Sequence, residues 1–195
     1  MNVRRALGGL WLLGLAALGC SASTSTGPEV SSPFTEQDGR LFDDSVDYAE
    51  NVQDLGGRVA SQWRRQVDGL SRGADLIALV RVETVNSGHE TNGASLYRLD
   101  AVVTGAALKG QLPADRRVEL RVSEGATGFN QVRGNESRLQ SAVYVLWARW
   151  YRDADNSVRA HWHLSPNNPQ LIARVHDAIG YIDPNAPRET VIRNN

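Results

Sequence analysis

The sequence predicts an α+β fold: a small five-stranded, mainly antiparallel β-barrel flanked by an N-terminal helical segment and a C-terminal helix. Three observations support this class. Five short apolar or alternating segments lie between residues 75 and 164, separated by polar turns, as in a small barrel. Apolar residues recur at steps of three and four over residues 35–72, and again over 169–179, which is the period of an α-helix.

The N-terminal helical segment covers residues 35–72. Thr35 and Asp38 form a candidate capping box at its start. Gly56 and Gly57 interrupt it, and each glycine costs about 1 kcal/mol in a helix interior. We therefore expect two helices, or one helix with a break at the glycine pair. The apolar stripe consists of Tyr48, Val52, Leu55, Val59, Trp63, Val67 and Leu70.

The five predicted strands supply the barrel. The first begins as a continuous apolar run, which suits a strand that is buried on both faces. In the last strand apolar residues alternate with polar ones, so we expect the apolar set inside and the polar set outside. The strands are residues 75–85, 95–104, 116–123, 142–151 and 157–164, joined by a connection over 105–113 and a long polar loop over 125–140. The inward set is Val158, Ala160, Trp162 and Leu164, and the outward set is Arg159, His161 and His163.

The C-terminal helix is predicted over residues 169–179. Asn167 or Asn168 is the candidate N-cap, and Pro169 suits the first turn of a helix. Gly180 follows as a stop signal. The helix therefore closes the domain.

The first twenty residues have the layout of a secretory signal. A basic pair at residues 4–5 precedes an apolar run of about 13 residues, which is too short for a membrane span of about 20 residues. Leu18, Gly19 and Cys20 end the run, and this ending resembles the lipobox of bacterial lipoproteins, with Ala17 where that family usually has leucine. The alternative is an ordinary signal peptide that is cut elsewhere, with loss of Cys20.

The resemblance to lipoproteins implies that residues 1–19 are removed and that Cys20 carries the lipids. Acyl chains anchor firmly because each buried methylene contributes about 0.8 kcal/mol. Cys20 is the single cysteine, so no intramolecular disulfide can form, and lipidation would remove a thiol that is open to oxidation. Ser21 resembles the export pattern of outer-membrane lipoproteins. We therefore expect a lipid-anchored protein of the bacterial cell envelope, at the outer rather than the inner membrane.

The mature chain is predicted to be a tether followed by one globular domain. The tether is rich in Ser, Thr, Pro and Gly, a composition that buries little surface and favours flexibility. The predicted segments are the tether (20–34), the domain (35–182), within it the helical segment (35–72), the barrel (74–164) and the last helix (168–180), and a polar tail (183–195).

Charge and motifs bound the function. Without Arg4 and Arg5 the chain has 19 basic residues against 22 acidic ones, a formal charge of −3, which gives no support for nucleic-acid binding. The sequence lacks a Gly-x-Ser-x-Gly elbow, a Ser-x-x-Lys pair, a His-Glu-x-x-His motif and a Gly-rich phosphate loop. We therefore predict a non-enzymatic binding or assembly module with no cofactor and an envelope protein as its partner.

Four short patterns within the predicted barrel carry a second resemblance. They are Ala74 to Val82, Leu108 to Gly110, Val118 to Val122 and Tyr144 to Leu146. Together they resemble the OB-type barrel of netrin-like and tissue-inhibitor-of-metalloproteinase modules, although the disulfides of that family are missing. The resemblance implies an OB-like barrel and does not by itself imply an activity. A protease-inhibitor role would need a free amine on the cysteine that lipidation occupies.

His161 and His163 are the sharpest local feature. Residues two apart on a strand share a face, and zinc sites use such pairs with a third ligand from elsewhere. The second function hypothesis is therefore a metal-dependent envelope enzyme that uses this pair. The alternative is two histidines on the solvated face of a barrel strand. Candidate third ligands are His89, His176, Asp153 and Asp155.

Aromatic residues crowd the last two strands. Trp147 and Tyr151 share one face, and Trp150 takes the other. At least one is exposed unless a helix covers it, and exposed aromatics beside arginines are typical of binding surfaces. The alternative is that the predicted helices pack there. The candidate surface is Trp147, Arg149, Trp150, Arg152 and Trp162.

Overall fold

The structure, a computed structural model, describes residues 28, 30, 33–48, 56–153 and 155–180. Within these ranges no helix is both long enough and apolar enough to span a membrane. The predicted signal, Cys20, Ser21 and the polar tail from residue 183 lie outside the described residues. The expectations about them therefore stay predictions.

The described residues form an α+β fold in which a six-stranded mixed sheet curls into a half-barrel with helices packed against it. The helices are α1 (Glu36–Leu41), α2 (Gly57–Gly73), α3 (Phe129–Val132), α4 (Glu136–Gln140) and α5 (Pro169–Ile179). The strands are β1 (Ser45–Val46), β2 (Leu76–His89), β3 (Ser95–Lys109), β4 (Arg117–Ser123), β5 (Val143–Arg152) and β6 (Val158–Pro166). The strand order is β1-β6-β5-β2-β3-β4, and β1 pairs with β6 in parallel while the other neighbours are antiparallel.

The sixth strand, β1, corrects the prediction of five strands and of helix through Tyr48. The capping box at Thr35 is confirmed, but α1 ends at Leu41. Asp44 has a left-handed backbone with φ 52°, which a right-handed helix cannot contain. Its own N–H then donates to the Trp162 carbonyl oxygen, 3.0 Å away, so the chain joins the edge of β6. The second predicted helix is confirmed as α2, while Val52 and Leu55 lie outside the described residues.

The hairpin of β2 and β3 is longer than predicted. β2 continues to His89 and β3 to Lys109, so half of the predicted connection over 105–113 is strand. Backbone hydrogen bonds sustain these ends, where apolar and polar residues do not alternate. The predicted long loop contains α3 and α4, because Phe129, Val132 and Leu139 are buried in the core.

Two apolar clusters lie on opposite faces of the sheet. The larger one fills the half-barrel and includes Leu99, Leu120 and Trp162. The smaller one lies between the outer face of the sheet and the helices α2 and α5, and it includes Trp147 and Leu171. The central strands are therefore covered on both sides, which leaves the outer strands to form the accessible surface.

The two ends of the half-barrel meet at a seam between β4 and β6. These strands are not paired in a ladder. The Trp162 indole Nε1 crosses the seam and donates to the Arg121 carbonyl oxygen at 2.8 Å. One side chain thus ties two edges that backbone hydrogen bonds leave open.

Candidate binding groove

A groove of about 1220 Å³ runs along this seam, and we call it the seam groove. One wall is β4, with Arg117, Glu119 and Arg121, and the other is β6, with Arg159 and His161. The turn between β2 and β3 and the turn between β5 and β6 also line it. The site is built from strand edges and turns, which the flanking sheet holds in place.

The edge of β4 that faces the groove has unpaired backbone groups. Arg116 accepts from the Val103 N–H on the β3 side, 2.9 Å away, so alternation points the backbone of Arg117, Glu119 and Arg121 away from β3. Asp115 accepts from the Arg117 N–H at 3.1 Å, and Arg121 accepts from the indole. Among the described residues, no hydrogen bond reaches the backbone N–H or C=O of Glu119.

The facing edge of β6 is open over its first half. Asn167 donates to the Val143 carbonyl oxygen at 3.0 Å, so the odd-numbered residues of β6 bond to β5 and the even-numbered ones point away. Both backbone groups of Trp162 are paired with Asp44, because the Trp162 carbonyl oxygen accepts from the Asp44 N–H and the Trp162 N–H donates to the Asp44 carboxylate. In the described part of the chain, the backbone groups of Val158 and Ala160 have no partner on this side.

The floor of the groove is apolar and its rim is charged. Val118, Trp150 and Ala160 contribute floor from the half-barrel core, and the last two are each 6% exposed. An extended ligand in this groove would bury its apolar side chains on the floor and place its polar side chains at the rim. A strand-like ligand presents such alternating faces.

The charges on the rim are mostly paired. Arg159 binds both Asp153 and Asp155 at 2.9 Å. Hydrogen bonds from Ser157, and then the Arg159 guanidinium, lower the pKa of Asp155 to about 2. These contacts fix the turn between β5 and β6.

One cation on the rim stands out. Arg121 pairs with Glu119, but Arg98 lies directly opposite Arg121 in the β3–β4 register. The Arg98 side chain is exposed and makes no ion pair or hydrogen bond with any described residue. The outer surface beside the groove therefore has one uncompensated guanidinium.

His161 stands in the wall of the groove between two rings. Its imidazole stacks on Tyr151 and makes a tilted contact with Phe34, with centroids 4.3 Å away in each case. Its Nδ1 lies 2.9 Å from Asp44 Oδ2. Burial raises the pKa of the Asp44 carboxyl, although the hydrogen bond with His161 opposes the shift. The histidine is thus held in position by rings and a carboxylate.

His163 is buried, which corrects the expectation that it faces solvent. It is 4% exposed because residues 42–46 cover this part of the outer face. Its Nδ1 lies 3.1 Å from Ser45 Oγ and 3.2 Å from Asp43 Oδ1. Burial raises the pKa of Asp43, but hydrogen bonds from His163 and Ser45 outweigh it and lower the pKa. In a catalytic triad the serine and the aspartate contact different nitrogens of the histidine, whereas Ser45 and Asp43 both contact Nδ1 of His163. These three residues therefore do not have the geometry of a catalytic triad.

The structure does not bring a third metal ligand to the histidine pair within its described ranges. No group of three or more His, Cys, Asp or Glu side chains there could hold a metal ion. Of the four candidates, Asp153 and Asp155 bind Arg159, His89 ends β2, and His176 lies in α5. The metal-dependent enzyme stays a hypothesis.

The candidate aromatic surface is corrected, because its three tryptophans are buried. Trp147 and Trp162 are 0% exposed, and Trp147 donates to Ser71 Oγ of α2 at 3.1 Å. The alternative, packing by the predicted helices, explains Trp147, whereas Trp150 and Trp162 fill the half-barrel. Of the two arginines, Arg149 binds Asp75 at 2.7 Å and Arg152 binds the Asn156 carbonyl oxygen at 3.1 Å.

Sequence reasoning missed Arg98, Glu119 and the seam. The signal was present in β4, where Arg117, Glu119 and Arg121 alternate with apolar residues. Charged residues at successive outward positions are typical of an edge strand. The position of that edge opposite β6 could not be inferred from a local pattern.

Comparison with known proteins finds no matching family, no similar curated protein and no similar solved structure.

Proposed function

We propose that this protein is a lipid-anchored, non-enzymatic binding module of the bacterial cell envelope, and that the seam groove is its binding face. The observation that carries the proposal is the groove itself. It joins an apolar floor to unpaired strand edges and an uncompensated arginine. Features of this kind, apolar area with a few placed polar groups, define ligand sites.

We also propose that the half-barrel is OB-like. The order β6-β5-β2-β3-β4, closed by the Trp162 contact to Arg121, supports this proposal. Such barrels are partly open and have five strands, and they bind ligands across two adjacent strands and the flanking turns. In this protein the groove is lined by β4 and by the turns after β2 and β5.

The anchor would place the groove close to a membrane. Pro28, in the predicted tether, lines the groove, and Phe34 packs against His161. Pro28 lies eight positions after Cys20, and an extended chain spans at most about 3.5 Å per position. The lipids would then lie within about 30 Å of the groove, so we expect the partner to be a protein near the membrane surface.

Photo-crosslinking in intact envelopes tests the proposal. A photoreactive phenylalanine analogue replaces Thr91, which is exposed at the rim in the turn between β2 and β3, and a matched variant carries it at Arg65, which is exposed on α2. We expect a discrete crosslinked product from position 91 and none from position 65. Equal products from both positions, or no product from position 91, would contradict the proposal.

A further inference from the structure

The open edge of β4 has a defined length. The tryptophan contact at the Arg121 carbonyl oxygen closes one end, and Asp115 at the Arg117 N–H closes the other. Between them lie the Arg117 C=O, both backbone groups of Glu119 and the Arg121 N–H. Free groups in this order are what a neighbouring strand needs for pairing.

The surroundings of this edge favour one kind of guest. The inward side chains of a strand beside β4 would meet the apolar floor at Trp150, Val158 and Ala160. Its outward side chains would lie beside the outward side chains of β4, Arg117, Glu119 and Arg121, which carry two positive charges and one negative charge. Apolar residues inward and acidic residues outward therefore match both faces.

We infer that the seam groove binds an extended polypeptide segment of a partner protein, with alternating apolar and acidic residues, that pairs with β4 and extends the sheet. Strand addition of this kind draws affinity from main-chain hydrogen bonds and selectivity from alternate side chains. The inference rests on the proposed function, because it names the chemistry of the partner at the same groove.

A peptide selection tests the inference on the full chain. A displayed library of short random peptides is selected against the purified protein in detergent and counter-selected against Glu119→Pro. Proline removes the free N–H, and the ladder with β3 is kept because this N–H points away from β3. We expect enriched peptides with alternating apolar and acidic residues, and affinity for Glu119→Pro lower by at least about tenfold.

Two controls separate backbone pairing from other effects. Glu119→Thr removes the carboxylate that pairs with Arg121 and keeps the N–H, so it should bind acidic peptides at least as tightly as the unaltered protein. Two versions of a selected peptide, each N-methylated at every second amide and offset from the other by one residue, are tested against the unaltered protein. Only the version that lacks the N–H groups facing β4 should lose binding. Amide exchange at Glu119 and Arg121 should slow when the unmodified peptide is bound.

The outcomes distinguish the two claims. No enrichment over Glu119→Pro, or equal binding by N-methylated peptides in both registers, would overturn the inference. A crosslinked partner at position 91 that is a glycan or lipid would overturn it too, and would leave the groove as the binding face. No crosslink at position 91 would instead remove the proposed function.

Discussion

Asp44 determines the local structure at the start of β1 and along the edge of β6. Its left-handed backbone turns the chain after α1 towards β6. Its carboxylate accepts from the Trp162 N–H at 3.0 Å and meets His161. The same residue thus fixes β1, the wall of the groove and the end of the open β6 edge.

The raised pKa of Asp44 predicts a pH dependence. Because burial lifts its pKa above the usual 3.8, the folded state binds this proton more tightly than the unfolded state. Its contribution to the free energy of unfolding therefore falls as pH rises through 3.8 and then through the folded pKa. Asp44→Asn should remove this decline in urea unfolding measured between pH 4 and pH 7.

Asp43 supplies a matched comparison of opposite sign. Its folded pKa is lowered, so its contribution is present above pH 3.8 and is lost as pH falls through the folded value. Asp43→Asn should therefore make the protein relatively less sensitive to acid. If Asp44→Asn and Asp43→Asn changed the pH profile in the same direction, the assignment would be wrong.

A side chain in place of Gly128, at the start of α3, would clash with backbone atoms. A Cβ there would lie 1.8 Å from the Asp44 carbonyl oxygen and 2.7 Å from the Ser45 Cα. Gly128→Ala should lower the free energy of unfolding by about 1–3 kcal/mol, because backbone must move. Gly105→Ala is the control, since a Cβ there meets nothing within 4 Å, and it should change stability by less than about 0.5 kcal/mol. Urea denaturation of both variants measures the difference.

At the level of elements, the sequence predicted those helices and strands whose signals lie within their own segments. β4 and α5 were predicted within a residue at each end, because alternation and capping signals lie in the segment itself. β1 was missed because two residues show no period, and its partner lies 118 residues away in the Ser45–His163 pair. The burial of His163 was missed for the same reason, since its cover comes from residues 42–46.

Lys109 connects the end of β3 to the end of α2. Its Nζ donates to the Ser71 and Arg72 carbonyl oxygens at 3.0 and 2.8 Å, at the end of α2 where carbonyl groups lack helical partners. Burial lowers the pKa of this lysine. Lys109→Met should cost about 1–2 kcal/mol of unfolding free energy, measured by chemical denaturation. Arg40→Met, at an exposed pair, should cost under about 0.5 kcal/mol, and an equal cost would contradict the capping role.

For the whole molecule, the sequence predicted the α+β class and the helices around the sheet, but not the groove. A groove depends on how far a sheet curls and on which edges then meet, and neither property is local. The candidate aromatic surface does not form for a related reason, because both faces of β5 are covered by distant elements, and for Trp147 the cover is the helix packing named as the alternative.

The anchor is predicted at this scale as well. Cys20→Ser should abolish lipid attachment, so the full chain should move from the membrane fraction to the soluble fraction of the envelope. Ser21→Asp is the comparison, because it keeps the cysteine and should alter only which membrane is reached. Undiminished membrane association of Cys20→Ser, with no change in mass from acyl chains, would contradict the lipoprotein prediction.

The central claim, that a partner covers the open edge of β4, is tested most directly by hydrogen–deuterium exchange. The exchange of residues 117–121 is compared between the full chain in envelope fragments and the same chain purified alone, with β5 as an internal reference. We predict slower exchange of β4 in the envelope and unchanged exchange of β5. Equal exchange of β4 in both preparations would contradict the account.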